Sequence, residues 1–247
     1  MEFHAFLCYL VMAVLISVNS QGIRSPDRRE IAFSYFLRHR MDIILLQEAH
    51  WTRDLETQIQ REWNGGVFFN HGTNTARGVA ILIHPRLEYA VGHTRSDNEG
   101  RILNIVLTLD DHTLNIINIY APQTDTDRRA FFSSLDGFLS KNFVNIIRGD
   151  FNCISNARLD KLGGNLNARH FAATTLLGIC AQHNISDIWR DRHKDKRGFT
   201  WTGRHPTNGT FIRTRIDKFL ISNSLYQFWM HRLSLFHILT MTASFCL

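Results

Sequence analysis

The chain has 247 residues, 44% apolar and 20% charged, which is enough for one sizeable hydrophobic core and too apolar for a disordered chain. Lys and Arg outnumber Asp and Glu by 28 to 22, and the pI near 9.4 favours a polyanionic partner, nucleic acid or an anionic membrane surface, without choosing between them. Cys8, Cys153, Cys180 and Cys246 form no CxxC pair and no zinc spacing with histidine, which argues against a disulfide framework and predicts free, mostly buried thiols in a reducing compartment.

In chain order, the first feature is an apolar run from Ala5 to Val18 of roughly signal-peptide length. No Lys or Arg precedes it, it is short for a membrane span, and Val14 to Val18 reads equally as a buried strand ending at Asn19. Both readings stay open. Residues 1–12 are an extension of unclear role; the nucleus or cytoplasm is the expected location and no stable membrane partner is expected, secretion following only if the run is a signal.

Ser25-Pro26 supplies an N-cap and a first-turn proline for a helix expected to face Ile31, Tyr35 and Leu37 inward. Short runs rich in Ile, Val and Leu then predict strands at Ala13–Val18, Asp42–Leu46, Val79–Ile83, Ile102–Leu109, Leu114–Tyr120, Asn145–Ile147 and Arg215–Ile221. Helical spacing recurs at Phe131, Leu135, Phe138 and Leu139, and a third helix is expected from about Asn167 to His183. Hairpin-like neighbours alternating with helices predict a single α/β domain over residues 13–222.

Several strands stop at a carboxylate or an amide: Asp42-Ile-Ile-Leu-Leu46 ends in Gln47-Glu48, Asn145-Ile-Ile-Arg-Gly149 opens into Asp150-Phe151-Asn152, and Arg215-Ile216 leads into Asp217. Such loops could bring carboxylates to one rim, where a rigid sheet positions groups that solvent still reaches. Each also has a plainer reading. Gln47-Glu48 reads as a capping or solvated pair, Gly149-Asp150 as a turn, and Asp217 between Arg215 and Lys218 as a surface ion pair. Phe199 and Trp201 read as core packing, and Arg77, Arg101, Arg128, Arg129 and Arg204 as solvated surface or as phosphate contacts.

Taken together, Asn19-Ser-Gln-Gly22, Leu46-Gln-Glu48, Ile119-Tyr-Ala-Pro122, Gly149-Asp-Phe-Asn152, Phe199-Thr-Trp201 and Arg215-Ile-Asp217 resemble the successive motifs of the endonuclease/exonuclease/phosphatase superfamily, which includes exonuclease III, apurinic endonucleases and DNase I. Gln47-Glu-Ala-His-Trp51, Gly100-Arg-Ile-Leu103 and Asp187-Ile-Trp-Arg190 resemble the endonuclease domain of LINE-type non-LTR retrotransposons. The resemblance implies a DNase I-like, four-layered α/β sandwich with two packed mixed sheets flanked by helices. It implies a DNA-nicking phosphodiesterase using Mg²⁺, or Mn²⁺, with DNA as partner and a reverse transcriptase encoded in the same element. By the same resemblance Glu48 is the main metal ligand with Asn19 in the shell, Asp150 orients or deprotonates the attacking water, Asn152 and Tyr120 hydrogen-bond the phosphate, and Asp217 orients a histidine.

That histidine belongs to a terminal Ser-Asp-His motif. After Ser222 the chain instead runs through His231 and His237 to Leu247 without an Asp or Glu, and Phe236 precedes His237 where the motif has Asp. Residues 223–247 are therefore expected to be an aberrant apolar tail and this copy to be impaired or inactive. Gln21, where the repair enzymes of the family carry an acid, weighs against a repair role. The alternatives are an apurinic endonuclease of the exonuclease III type, a catalytically dead DNA-binding remnant and a secreted DNase.

Overall fold

Strands apolar on both faces are stable only when both faces are covered, and the architecture provides that cover. The computed structural model describes residues 13–164, 171–205, 207 and 209–225. Its first sheet holds β1 (Leu15–Asn19), β2 (Ile43–Gln47), β3 (Gly66–Asn70) and β4 (Val79–Ile83) in the order β1-β2-β4-β3, parallel between β1 and β2 and antiparallel elsewhere. The second holds β5 (Ala90–Ser96), β6 (Ile102–Leu109), β7 (His112–Tyr120), β8 (Val144–Asp150), β10 (Ile185–Asp187) and β13 (Asp217–Ser222) in the order β10-β13-β8-β7-β6-β5, with β7 and β8 parallel. A small third sheet, β11-β12-β9, joins Lys161–Leu162 (β9), Trp201–Arg204 (β11) and Phe211–Thr214 (β12).

The two large sheets pack face to face through Ile43, Leu45 and Ile81 on one side and Ile105, Ile116, Ile146 and Phe219 on the other. Helices α1 (Pro26–Arg38) and α2 (Glu56–Trp63) cover the outer face of the first sheet, laying Phe33, Phe36, Ile59 and Trp63 on Ile44, Leu46 and Leu82. Helices α3 (Asp125–Ser134) and α5 (Phe171–Gln182) cover the second, laying Phe131, Phe132 and Leu176 on Ile117, Ile119 and Ile147. Short helices α4 (Ala157–Asp160) and α6 (Ile188–Arg192) complete the set. This is the four-layered sandwich, helix on sheet on sheet on helix, that the sequence predicts.

Between the sheets one polar cluster is fully engaged. The Asn118 amide donates to the Leu46 and Ala80 carbonyls at 2.8 and 2.9 Å, and its oxygen accepts from Gln47 at 2.6 Å. Gln47 is fully buried, not a solvated or capping residue, and also bonds Ser17. A satisfied buried network of this kind fixes how the sheets register.

Several sequence expectations are corrected. Helix α1 buries Arg29, Ala32, Phe33 and Phe36 while Ile31 and Leu37 are exposed, because Arg29 is neutralised by Glu62 and carries the buried stripe with it. Helix α3 ends at Ser134 and a 3₁₀ turn carries Leu135–Phe138, leaving Phe138 and Leu139 only half-buried. Strands β3, β5, β9, β10, β11 and β12 and helices α2, α4 and α6 have no counterpart among the predicted elements. Cys153 is buried and Cys180 half-buried, both free; Cys8 and Cys246 lie outside the described residues, as do residues 1–12, 167–170 and the tail from 226, with His231 and His237. No helix among the described residues is long and apolar enough to cross a membrane.

Candidate active site

Register brings the motif residues to one end of the sandwich. Tyr120 on β7 lies opposite Asp150 on β8, and Asp150 lies opposite Asp217 on β13. In the facing sheet Asn19 ends β1 opposite Gln47, and Glu48 follows immediately. The sheets meet here through side chains: the Asn19 amide donates to Glu48 Oε1 at 2.7 Å and to Asp150 Oδ2 at 3.3 Å, and burial, then the Glu48 carboxylate across the gap, raise the Tyr120 hydroxyl. Asp150 Oδ1 accepts the Asn152 backbone N–H at 2.8 Å, and the Asn152 amide donates to the Ala121 carbonyl at 2.8 Å. All six residues singled out from the sequence, Asn19, Glu48, Tyr120, Asp150, Asn152 and Asp217, thus converge on this rim.

The backbone is bent to achieve this. Gln21, Glu48, His50 and Asn152 all adopt positive φ, between 47° and 57°, a region sparsely populated by side-chain-bearing residues that recurs at functional sites. Gly149, at φ 144°, approaches β7 so closely that a Cβ would lie 2.0 Å from the Ile119 carbonyl, so only glycine lets the chain deliver Asp150 there.

Electrostatically the rim concentrates negative charge. Burial, then Asp217, then Glu48 push the Asp150 carboxyl above the usual range, while the Asn152 and Asn19 N–H groups oppose the shift. Burial likewise raises Asp217, against the Thr200 hydroxyl, Arg148 and Lys218. Tyr120 is held firmly protonated by burial and by Glu48 and Asp150. His50 Nε2 is 3.8 Å from Glu48 Oε2, and burial keeps its imidazole below the ordinary value despite that carboxylate.

Asp217 is not a surface ion pair. Arg215 turns away to Asp160 and Asp187, at 2.8 and 2.7 Å, and Asp217 is held instead by Thr200, whose hydroxyl oxygen accepts the backbone N–H groups of Ile216 and Asp217 at 3.0 and 3.1 Å. Sequence reasoning noted the Phe199-Thr-Trp201 triplet for its aromatics; the contact to the site is made by the threonine between them. Trp201 is exposed, not packed in the core, and Phe199 is half-buried. Arg128 is buried on the Pro122 and Gln123 carbonyls, whereas Arg101 reaches the site: it donates to the Tyr120 carbonyl at 3.1 Å and lies over the Tyr120 ring.

Among the described residues no group of three or more His, Cys, Asp or Glu could hold a metal ion. The donor set fits a hard cation that takes few protein oxygens and keeps its own water: the Glu48 carboxylate beside the Asn19 amide, in a pocket whose carboxylates repel one another.

Residues 16–244 match the model of the Endonuclease/Exonuclease/phosphatase family. The chain belongs to that family. It is 32% identical over 218 residues to the "Transposon TX1 uncharacterized 149 kDa protein" of Xenopus laevis; the match takes in 87% of this chain but only 16% of that protein. It is 25% identical over 233 residues to an exodeoxyribonuclease of Bacillus subtilis (strain 168), covering 85% of this chain and 88% of that one. Among solved structures, an AP endonuclease from Archaeoglobus fulgidus superposes with a TM-score of 0.67 at 19% identity, covering 87% of this chain and 89% of the other. The catalytic domain of Xenopus laevis APE2 superposes with a TM-score of 0.64 at 22% identity, covering 86% and 83%. At those identities the structural likeness establishes the DNase I-like fold.

Proposed function

We propose that this chain is a divalent-cation-dependent phosphodiesterase that nicks DNA, of non-LTR retrotransposon origin and acting beside a reverse transcriptase of the same element. The observation that carries the reading is the meeting of Asn19, Glu48, Tyr120, Asp150, Asn152 and Asp217 at one rim. The match to the transposon protein supports the element context, with this chain covering about one sixth of that protein's length.

Each side chain has work suited to its state. Glu48 and Asn19 would hold Mg²⁺ or Mn²⁺, which supplies charge neutralisation on the phosphate when bound. Asp150, fixed by two N–H donors and more basic than an ordinary aspartate, takes the proton of the attacking water. Tyr120 stays protonated and so remains a donor to a phosphate oxygen; Asn152 keeps one amide hydrogen free for the same purpose. Beside the site, the β11–β12 hairpin exposes Trp201 and Phe211, with Arg204 stacked 4.3 Å over Phe211. Arg213 lies in the hairpin, and Arg192, Lys194, Lys196 and Arg197 precede it in the sequence against Asp191 and Asp195, a charge balance that favours a phosphate backbone.

Thr200, Arg148 and Lys218 act on Asp217; by the family resemblance it would orient a histidine of a Ser-Asp-His triplet, and no such triplet follows Ser222 in the sequence, which accords with reduced turnover in this copy. The test is a supercoiled-plasmid nicking assay with Mg²⁺, alongside an abasic-site duplex, on the native chain and on Glu48→Gln. Slow Mg²⁺-dependent nicking of intact plasmid that Glu48→Gln abolishes is expected. Preference for the abasic duplex would favour a repair enzyme, and DNA binding with no cleavage of either substrate a dead remnant.

A further inference from the structure

Arg148 lies two residues before Asp150 on β8 and opposite Phe219 on β13. Side chains alternate along a strand, so Arg148, Asp150, Asp217 and Phe219 leave the second sheet on the same face, toward the first sheet. Asp217 is the diagonal neighbour of Arg148, a relation long side chains span. The Arg148 side chain is only 2% exposed, its Cζ lies 5.1 Å over the Phe219 ring, and its Nε and Nη1 have no hydrogen-bond partner.

A buried guanidinium in an apolar layer requires a counter-charge, because an uncompensated buried ion is strongly unfavourable. The neutral polar groups alongside are already engaged. Asn118, its neighbour on β7, donates to Leu46 and Ala80 and accepts from Gln47, and Gln47 in turn bonds Ser17. Lys218 leaves the sheet on the opposite face, near Cys153 and Asp160, and does not compete for the space. The anionic groups one step toward the rim are Asp150 and Asp217.

We propose that Arg148 is a positioning residue of the candidate active site: its buried guanidinium, diagonal to Asp217 across β8 and β13, is that carboxylate's counter-charge and sets where its negative charge is held. Its charge opposes the effect of burial on Asp217, and Asp217 in turn is the foremost group stabilising the Arg148 cation against burial. Asp217, which by family resemblance works with a histidine, thereby has a cation supplied from inside the fold. The effect on turnover rests on the proposed function; the charge pairing does not.

The experiment is a double-mutant cycle on the full, metal-free chain, with thermal and urea unfolding of Arg148→Met, Asp217→Asn, the double variant and Arg148→Lys. Arg148→Met should lower the melting temperature by leaving Asp217 without its cation. The double variant should recover most of that loss, and Arg148→Lys should retain stability. If Arg148→Met does not fold at all, a folded double variant makes the same point. With Mg²⁺ and plasmid, Arg148→Met should lower kcat about tenfold or more at unchanged KM, with partial return in Arg148→Lys, as for loss of an interaction made in the transition state. Additive stability losses, or a methionine variant as stable as the native chain, would overturn the proposal whatever the nicking assay shows. Absence of nicking in the native chain, with the cycle non-additive, would reject the activity and keep the pairing.

Discussion

Arg215 and Asp217 are two residues apart, yet they belong to opposite kinds of polar cluster. Around Arg215 the carboxylates are paired: Asp160 accepts from Arg215 and Arg190, Asp187 accepts from Arg215, both guanidiniums lie over the Trp189 ring, at 5.1 and 4.8 Å, and the buried Lys218 adds a cation near both carboxylates. Around Asp217 three carboxylates, its own and those of Asp150 and Glu48, gather with amide and hydroxyl donors, Arg148 buried on the same face and Lys218 acting from the other. The first arrangement consumes its charges internally and joins α4, α6 and β10. The second leaves charge unmatched, which a stability argument alone does not explain and a bound cation would. Perturbed carboxyls in such a setting mark functional sites, whereas a matched network marks scaffold.

The largest difference between the two clusters should appear in turnover. Asp150→Asn should lower nicking by about 10² to 10⁴ while leaving DNA affinity within a few-fold, since the loss falls on the transition state. Plasmid nicking with Mg²⁺ and binding in its absence measure the two halves. A parallel loss of binding would place Asp150 in the scaffold class and erase the contrast.

Asp160→Asn should do the reverse, destabilising the fold by about 3 to 5 kcal/mol because it leaves Arg215 buried without its main partner. Burial pushes the Asp160 carboxyl up, but the Arg215 guanidinium outweighs it and holds the group below its usual value. A depressed carboxyl contributes stability above the unfolded-chain value of about 3.9, and that contribution is lost as pH falls through the folded value. Urea unfolding should therefore show the gap between native chain and variant narrowing as pH is lowered from about 6 to about 3. A gap independent of pH would mean that packing, not charge, is what Asp160 supplies.

Much of this was legible in the sequence, and the misses have physical reasons. Apolar runs such as Val79–Ile83 and Ile102–Leu109 carry their own burial signal, and each motif residue sits where such a run ends, so the rim could be assembled from strand ends alone. Strand β5 escaped because Ala90–Ser96 is exposed along its length and has neither alternation nor apolarity, and β3 because its apolar stretch is only Val67-Phe68-Phe69, half-buried and closed by Gly66 and Asn70. Arg29 hid the true inward face of α1, since a buried arginine is visible only through its distant partner Glu62. Arg148 was passed over as one more residue of Asn145-Ile-Ile-Arg-Gly149. Its meaning depends on which face of β8 it leaves and on Phe219 and Asp217 some 70 residues away in sequence.

Cation binding gives a smaller test of the same contrast. Mg²⁺ at about ten times its dissociation constant should stabilise the native chain by about 1.4 kcal/mol, a rise in melting temperature of roughly 3 to 5 °C for a chain of this size. The shift should vanish in Glu48→Gln and persist in Asp160→Asn, which touches only the matched cluster. Equal shifts in all three proteins would mean that the cation binds elsewhere.

The smallest effect is expected on the β11–β12 hairpin, which couples the two regions because Thr200, at its base, holds Asp217 while β12 pairs with β9 beside Asp160. Trp201 is 44% exposed and its ring lies across Gly203, a flat aromatic surface on which a base or sugar can rest. Trp201→Ala should weaken DNA binding by about 1 kcal/mol, roughly fivefold, without changing the salt dependence, since stacking releases no counterions. Arg204→Ala should instead flatten the slope of log affinity against log salt by about 1, the signature of one phosphate contact removed. Fluorescence anisotropy on a short duplex across a salt series separates the two. Should Trp201→Ala change nicking while leaving affinity untouched, the hairpin would act through Thr200 on Asp217, and its aromatic face would have to be reassigned from DNA to the positioning of that carboxylate.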